Sequence, residues 1–116
     1  MTQDVAMRSQ GILPFLGHVV WLTAEQGGRR SGPPNTPAGF EYVSTGHVPP
    51  HGVEESASFV LRVEDRTAWC SPATARWLTF DNVGAQAVRP GSVVVITEGP
   101  VRVVAYFHVT EVLEER

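Results

Sequence analysis

The sequence predicts an all-β domain, and three observations carry that prediction. Apolar and polar residues alternate with a period of two, β-branched residues dominate the apolar runs, and glycine and proline clusters interrupt the chain at short intervals. No run of about ten residues carries the 3.6-residue apolar period of an amphipathic helix.

Residues 1–11 are polar and unpatterned and read as a flexible leader, which leaves a single domain over 12–116. The first strand is expected over Phe15 to Thr23 and the second over Gly39 to Thr45. Ala57 to Glu64 is the cleanest alternation. Ala57, Phe59, Leu61 and Val63 share one face and Ser58, Arg62 and Glu64 the other, with Val60 the exception, as in a half-buried antiparallel strand. Arg76 to Asp81 is a shorter candidate.

Ser92 to Thr97 and Val101 to Leu113 close the chain as a hairpin around Glu98-Gly99-Pro100. In the last segment Val101, Val103, Ala105, Phe107, Val109 and Leu113 fall on one face, and Arg102, Tyr106, His108 and Thr110 on the other. About six short strands joined by Gly/Pro loops suggest a small barrel or sandwich. Two long loops, Ala24 to Ala38 and Gly46 to Ser56, flank the second strand, and loops of that length in compact domains are commonly functional or mobile.

A chain of 116 residues suits one domain, and 42% hydrophobic residues suffice for a core. The net charge of -3 argues against a free-standing nucleic-acid binder, which needs a basic excess to neutralise phosphates. All nine basic residues are Arg, the side chain suited to forked contacts with carboxylate or phosphate. The one cysteine, Cys70, rules out an internal disulfide and agrees with a reducing compartment. The N-terminal residues lack the apolar stretch of a secretory signal, and no apolar run reaches the roughly 18 residues needed to span a bilayer. The expectation is a cytoplasmic protein without a membrane partner.

The first strand runs into Leu22-Thr23-Ala24-Glu25-Gln26-Gly27-Gly28-Arg29, and Pro33-Pro34 and Phe40-Glu41-Tyr42-Val43-Ser44-Thr45 follow. Arg89-Pro90-Gly91, then Val94 to Gly99 and Val101 to Val104, precede a tail of Val109-Thr110-Glu111-Val112-Leu113. This order resembles the third domain of elongation factor Tu, with its E-E-G-G-R segment and closing hairpin, over about residues 12 to 113. The resemblance implies a six-stranded antiparallel Greek-key β-barrel, a place near translation, and contacts with a protein partner or with tRNA.

Several departures narrow what is carried over. There is no G-x-x-x-x-G-K-[ST] phosphate loop and no Lys to complete one, so no nucleotide is expected. The family's R-P-Q becomes Pro37-Ala38-Gly39, Pro100 reads as an insertion, and the V-G-x-G stretch becomes Val104-Ala105-Tyr106-Phe107, where a Tyr-Phe pair would crowd an approaching tRNA backbone.

Two readings stand for Gly27-Gly28-Arg29-Arg30: a turn whose N–H groups and guanidinium forks receive an anion, or a strand-ending turn requiring positive φ with solvated arginines beside it. Glu98 and Arg102 flank the hairpin turn at Gly99, either as a local ion pair or as part of a partner surface. Tyr106 is expected to face outward because its strand face also carries Arg102 and His108. The other aromatic residues, Trp69 among them, are expected at the core or its edge.

For the four histidines no metal site is expected. Pro49-Pro50 prevents a helical His47/His51 pair, and His18 and His108 lie on strands where only tertiary structure could join them. His18 reads equally as half-buried among Leu16, Val20 and Leu22. A Cys70 nucleophile lacks activating neighbours apart from Arg66 and Arg76, so Cys70 reads as a packing residue.

The expectation is therefore a binding or regulatory barrel, not an enzyme, without a cofactor. It would contact a protein partner through Gly27, Gly28, Arg29, Arg30, Glu98, Gly99, Arg102, Tyr106 and His108. RNA or tRNA binding through the same barrel is the alternative, a small metal- or Cys-dependent enzyme a third reading, and an exposed edge or aromatic face could support a homodimer.

Overall fold

Six antiparallel strands close into a barrel in the order β1-β4-β3-β2-β5-β6, with β6 returning to β1. They are β1 (Phe15–Trp21), β2 (Tyr42–His47), β3 (Ala57–Val63), β4 (Cys70–Trp77), β5 (Val93–Glu98) and β6 (Arg102–Val112). The computed structural model describes residues 13–34, 41–78, 88–99 and 102–113. The leader expected over residues 1–11 lies outside them.

Strands β2, β3 and β4 are successive neighbours and β1 returns beside β4, which makes the topology a Greek key. Closure leaves no free sheet edge among these strands, so edge-to-edge pairing is not available to them. Among the described residues the helical segments are two 3-10 turns, Ala24–Gln26 and Val53–Glu55. No helix among them is long and apolar enough to cross a membrane.

The alternation expected for β3 holds: Phe59 and Leu61 are buried in the core with Ala57 and Val63 packed against it. Phe59 sits at the centre of an aromatic cluster, with ring centroids 4.8 Å from Trp77, 5.8 Å from Phe107 and 6.4 Å from Phe15. Val94, Ile96, Val19 and Ala105 complete a filled interior, all with no exposed surface.

The fourth strand differs from its expectation. It covers Cys70–Trp77, so of the expected Arg76 to Asp81 only Arg76 and Trp77 fall on it, Leu78 lies past its end, and residues 79–81 lie outside the described residues. Its inward residues before Trp77 are Ser71, Ala73 and Ala75, small because the aromatic cluster already fills the space they face. The second strand begins at Tyr42 and runs to His47. Trp69, expected near the core, is 46% exposed, and Cys70, expected to pack, is exposed.

The buried hydroxyls are partnered. Thr97 Oγ1 lies 2.6 Å from Thr45 Oγ1, and Ser71 Oγ donates to the Pro72 carbonyl at 2.9 Å while accepting the Asp65 N–H at 2.9 Å. The β3–β4 turn is held by Asp65, whose Oδ1 accepts the Thr67 N–H at 3.1 Å and the Thr67 hydroxyl at 2.8 Å. Those two bonds, the N–H first, hold the Asp65 carboxyl below its ordinary value of 3.8.

Two bulges set the register of β6. On the β5 side Ile96 faces Ala105 and Thr97 faces Val103, leaving Val104 as the extra residue. On the β1 side Leu16 faces Glu111 and Gly17 faces Val109, so Thr110 is extra, and its hydroxyl donates to the Leu16 carbonyl at 3.0 Å. Gly17 is required here because a Cβ would lie 1.9 Å from the His108 carbonyl oxygen.

Candidate functional site

The expected site residues divide between the barrel mouth and the outer wall. At the mouth, Thr23 caps the 3-10 turn Ala24–Gln26 reciprocally with Gln26: the Thr23 hydroxyl accepts the Gln26 N–H and the Gln26 side chain accepts the Thr23 N–H. Gly27 follows in the left-handed region at φ 94°, the positive φ that a strand-ending turn requires. Its N–H donates to the Ala24 carbonyl and that of Gly28 to the Thr23 carbonyl. Gly28 is buried so tightly that a Cβ would meet the Leu22 carbonyl oxygen at 2.3 Å.

These contacts turn Arg29 back over the barrel end. Arg29 Nε donates to Glu98 Oε2 at 2.9 Å and Nη1 donates to the Gly32 carbonyl at 2.7 Å. The same Glu98 oxygen accepts the Tyr42 hydroxyl proton. Tyr42 packs edge-on against Trp21, with ring centroids 5.3 Å apart. Burial, then the bond to Glu98, raises the Tyr42 phenol well above its ordinary value of 10.0. The Glu98 carboxylate thus forms its ion pair across the mouth with Arg29, although Arg102 is its register partner on β6. Of the four residues Gly27 to Arg30, Gly27 and Arg30 are exposed; Gly28 and Arg29 serve to close the barrel.

The outer wall carries the rest. Tyr106 is outward-facing and half-buried, opposite Val20 on β1 and Val95 on β5. Phe107 points inward and is fully buried, so of the expected crowding Tyr-Phe pair only Tyr106 stands on the wall. His108 is exposed and faces His18 directly across the β1–β6 seam. His18 is itself exposed, contrary to its half-buried reading, because the register turns it away from the core. Arg102 and Gly99 are exposed at the hairpin end, Gly99 at φ 70°. Pro100 and the Pro37-Ala38-Gly39 segment lie outside the described residues.

Sequence reasoning missed a groove on the same wall. It is open, holds about 700 Å³, and runs over β1, β4 and β3, lined by Leu16, His18, Arg62, Arg66, Pro72 and Thr74 among others. Arg62 Nη2 donates to Glu41 Oε2 at 2.9 Å beside it. No sequence spacing connects these residues; they meet because β1 pairs with β4. Among the described residues no three His, Cys, Asp or Glu side chains converge in a metal-binding group.

No protein-family model, curated protein or solved structure matches this chain in comparisons of its sequence and its fold.

Proposed function

We propose that this barrel is a non-catalytic binding module that recognises a protein partner with its outer wall and the exposed rim of its mouth. The observation that carries this reading is the filled interior. Phe59, Trp77, Phe107, Val94 and Ile96 are at most 1% exposed, and Arg29, Glu98 and Tyr42 tie the mouth. A barrel packed in this way has no room for a ligand inside, so recognition falls to the surface.

That surface has the chemistry for contact. Tyr106, His108 and His18 stand together on the β1–β6 wall, the groove continues from His18 toward Arg66, and Arg30 and Arg102 stand exposed at the rim. Aromatic and arginine side chains are those most enriched at the centres of protein interfaces. Imidazole, phenol and guanidinium groups together suit a partner segment rich in carboxylates. The sequence resemblance to the third domain of elongation factor Tu supports a partner in translation, and the six-stranded closed barrel is compatible with it.

The test is capture from cell lysate on the immobilised protein, comparing the unaltered chain with Tyr106→Ala and with Arg30→Glu. Loss of the same captured protein in both variants is the expected result. Unchanged capture by both would contradict the surface assignment. A tRNA gel shift at ~50 mM salt, where phosphate-led binding is strongest, is expected to show no retarded band; a band would favour the RNA reading.

A further inference from the structure

We propose that His18 and His108 form a two-histidine chelate for a late divalent transition-metal ion, Zn²⁺ foremost, on the outer wall of the barrel. The two residues are far apart in the chain, yet they are direct register partners on β1 and β6, and both are exposed on the same face. Directly opposed residues of antiparallel strands hold their Cβ atoms roughly 4.5–5.5 Å apart. Two imidazole nitrogens about 3.3 Å apart suffice to bind one tetrahedral Zn²⁺ at Zn–N distances of about 2.0–2.1 Å, and that Cβ separation lets χ1 and χ2 bring them there.

The pairing depends on the bulge. Leu16 faces Glu111, and an unbroken ladder would continue with Gly17 opposite Thr110 and His18 opposite the inward Val109. The extra residue Thr110 moves His18 into register with His108 instead. Gly17 permits this because the chain passes so close to the His108 carbonyl. Neither direct cross-strand neighbour carries a charge or a competing ligand: His18 faces Pro72 on β4 and His108 faces Val93 on β5, while Arg62 and Arg66 line the groove on the His18 side. Because no third His, Cys, Asp or Glu among the described residues converges there, the chain supplies two ligands and water the others. Imidazole favours Zn²⁺, Cu²⁺ and Ni²⁺ over Mg²⁺ and Ca²⁺.

The test is calorimetric titration of the intact chain with ZnCl₂, repeated on His18→Gln, His108→Gln, the double variant, and a His47→Gln/His51→Gln control. One Zn²⁺ per chain is expected, with each single variant at least tenfold weaker. The double variant should bind no more tightly than either single. The control should bind like the unaltered chain. Thermal unfolding of the unaltered chain gives an independent readout: the two histidines meet only in the folded barrel, so Zn²⁺ should raise its Tm and a chelator should reverse the rise. Single variants that bind Zn²⁺ as tightly as the unaltered chain would overturn the proposal. So would a control that loses as much affinity as they do, or a Tm that Zn²⁺ leaves unmoved.

Discussion

Arg29 and Glu98, separated by 69 residues in the chain, meet through a 2.9 Å Nε–Oε2 contact that ties the loop after β1 to the end of β5. Tyr42 joins them from the first position of β2. Three segments with no sequence proximity are thereby held at one end of the barrel.

The pair is partly buried, so its coupling should exceed that of a free surface ion pair. A double-mutant cycle of Arg29→Ala and Glu98→Ala by urea denaturation is expected to give about 1 kcal/mol of interaction energy. Tyr42→Phe should separately cost roughly 1.5–3 kcal/mol by removing one hydrogen bond to a carboxylate.

Tyr42 also gives the barrel an alkaline limit. Its folded-state phenol is raised above the ordinary 10.0, first by burial and then by Glu98, so above that pH the folded state keeps a proton that the unfolded chain has lost. Stability is therefore full below about pH 10 and falls as the pH rises toward the folded value. Denaturation midpoints measured across this range should decline, and Tyr42→Phe should flatten the decline.

The acid side has a smaller, opposite counterpart. Asp65 has its carboxyl lowered by the Thr67 N–H and hydroxyl, so its stabilisation is present above pH 3.8 and is lost as pH falls through the lower folded value. An NMR titration should find the Asp65 carboxyl half-protonated below 3.8, and Thr67→Ala should move it upward.

Phe59 touches three other rings at the barrel centre. Phe59→Ala should cost roughly 3–5 kcal/mol, the usual range for emptying an aromatic site, and its denaturation midpoint should fall accordingly. Gly17→Ala adds one methyl group yet should cost roughly 3 kcal/mol or more, because the clash is with backbone that the β1–β6 ladder fixes.

These sites differ in how legible they were. The strands β1, β3 and β6 could be read from alternation, because one face of each carries large apolar residues, and β5 from its run of β-branched residues. Strand β4 could not. Ser71, Ala73 and Ala75 carry little apolar signal, Pro72 lacks an N–H to donate, and their inward placement follows from the volume of Phe59, Phe107 and Trp77. The outward face of β6 was legible, with Tyr106 and His108 on it. The Arg29–Glu98 pair and the His18–His108 pair were not, since the first depends on how the loop folds back and the second on a bulge at Thr110. The local sequence encodes both as isolated charges and rings; closure of the barrel brings them together.

The central claim is recognition by the outer wall of a filled barrel, and amide chemical-shift mapping with the captured partner tests it most directly. The largest shifts are expected at His18, Tyr106, His108 and Arg66, with Tyr42, Glu98 and the Phe59 cluster little changed. Shifts centred on Tyr42, Glu98 and the barrel core, with the β1–β6 wall silent, would contradict it.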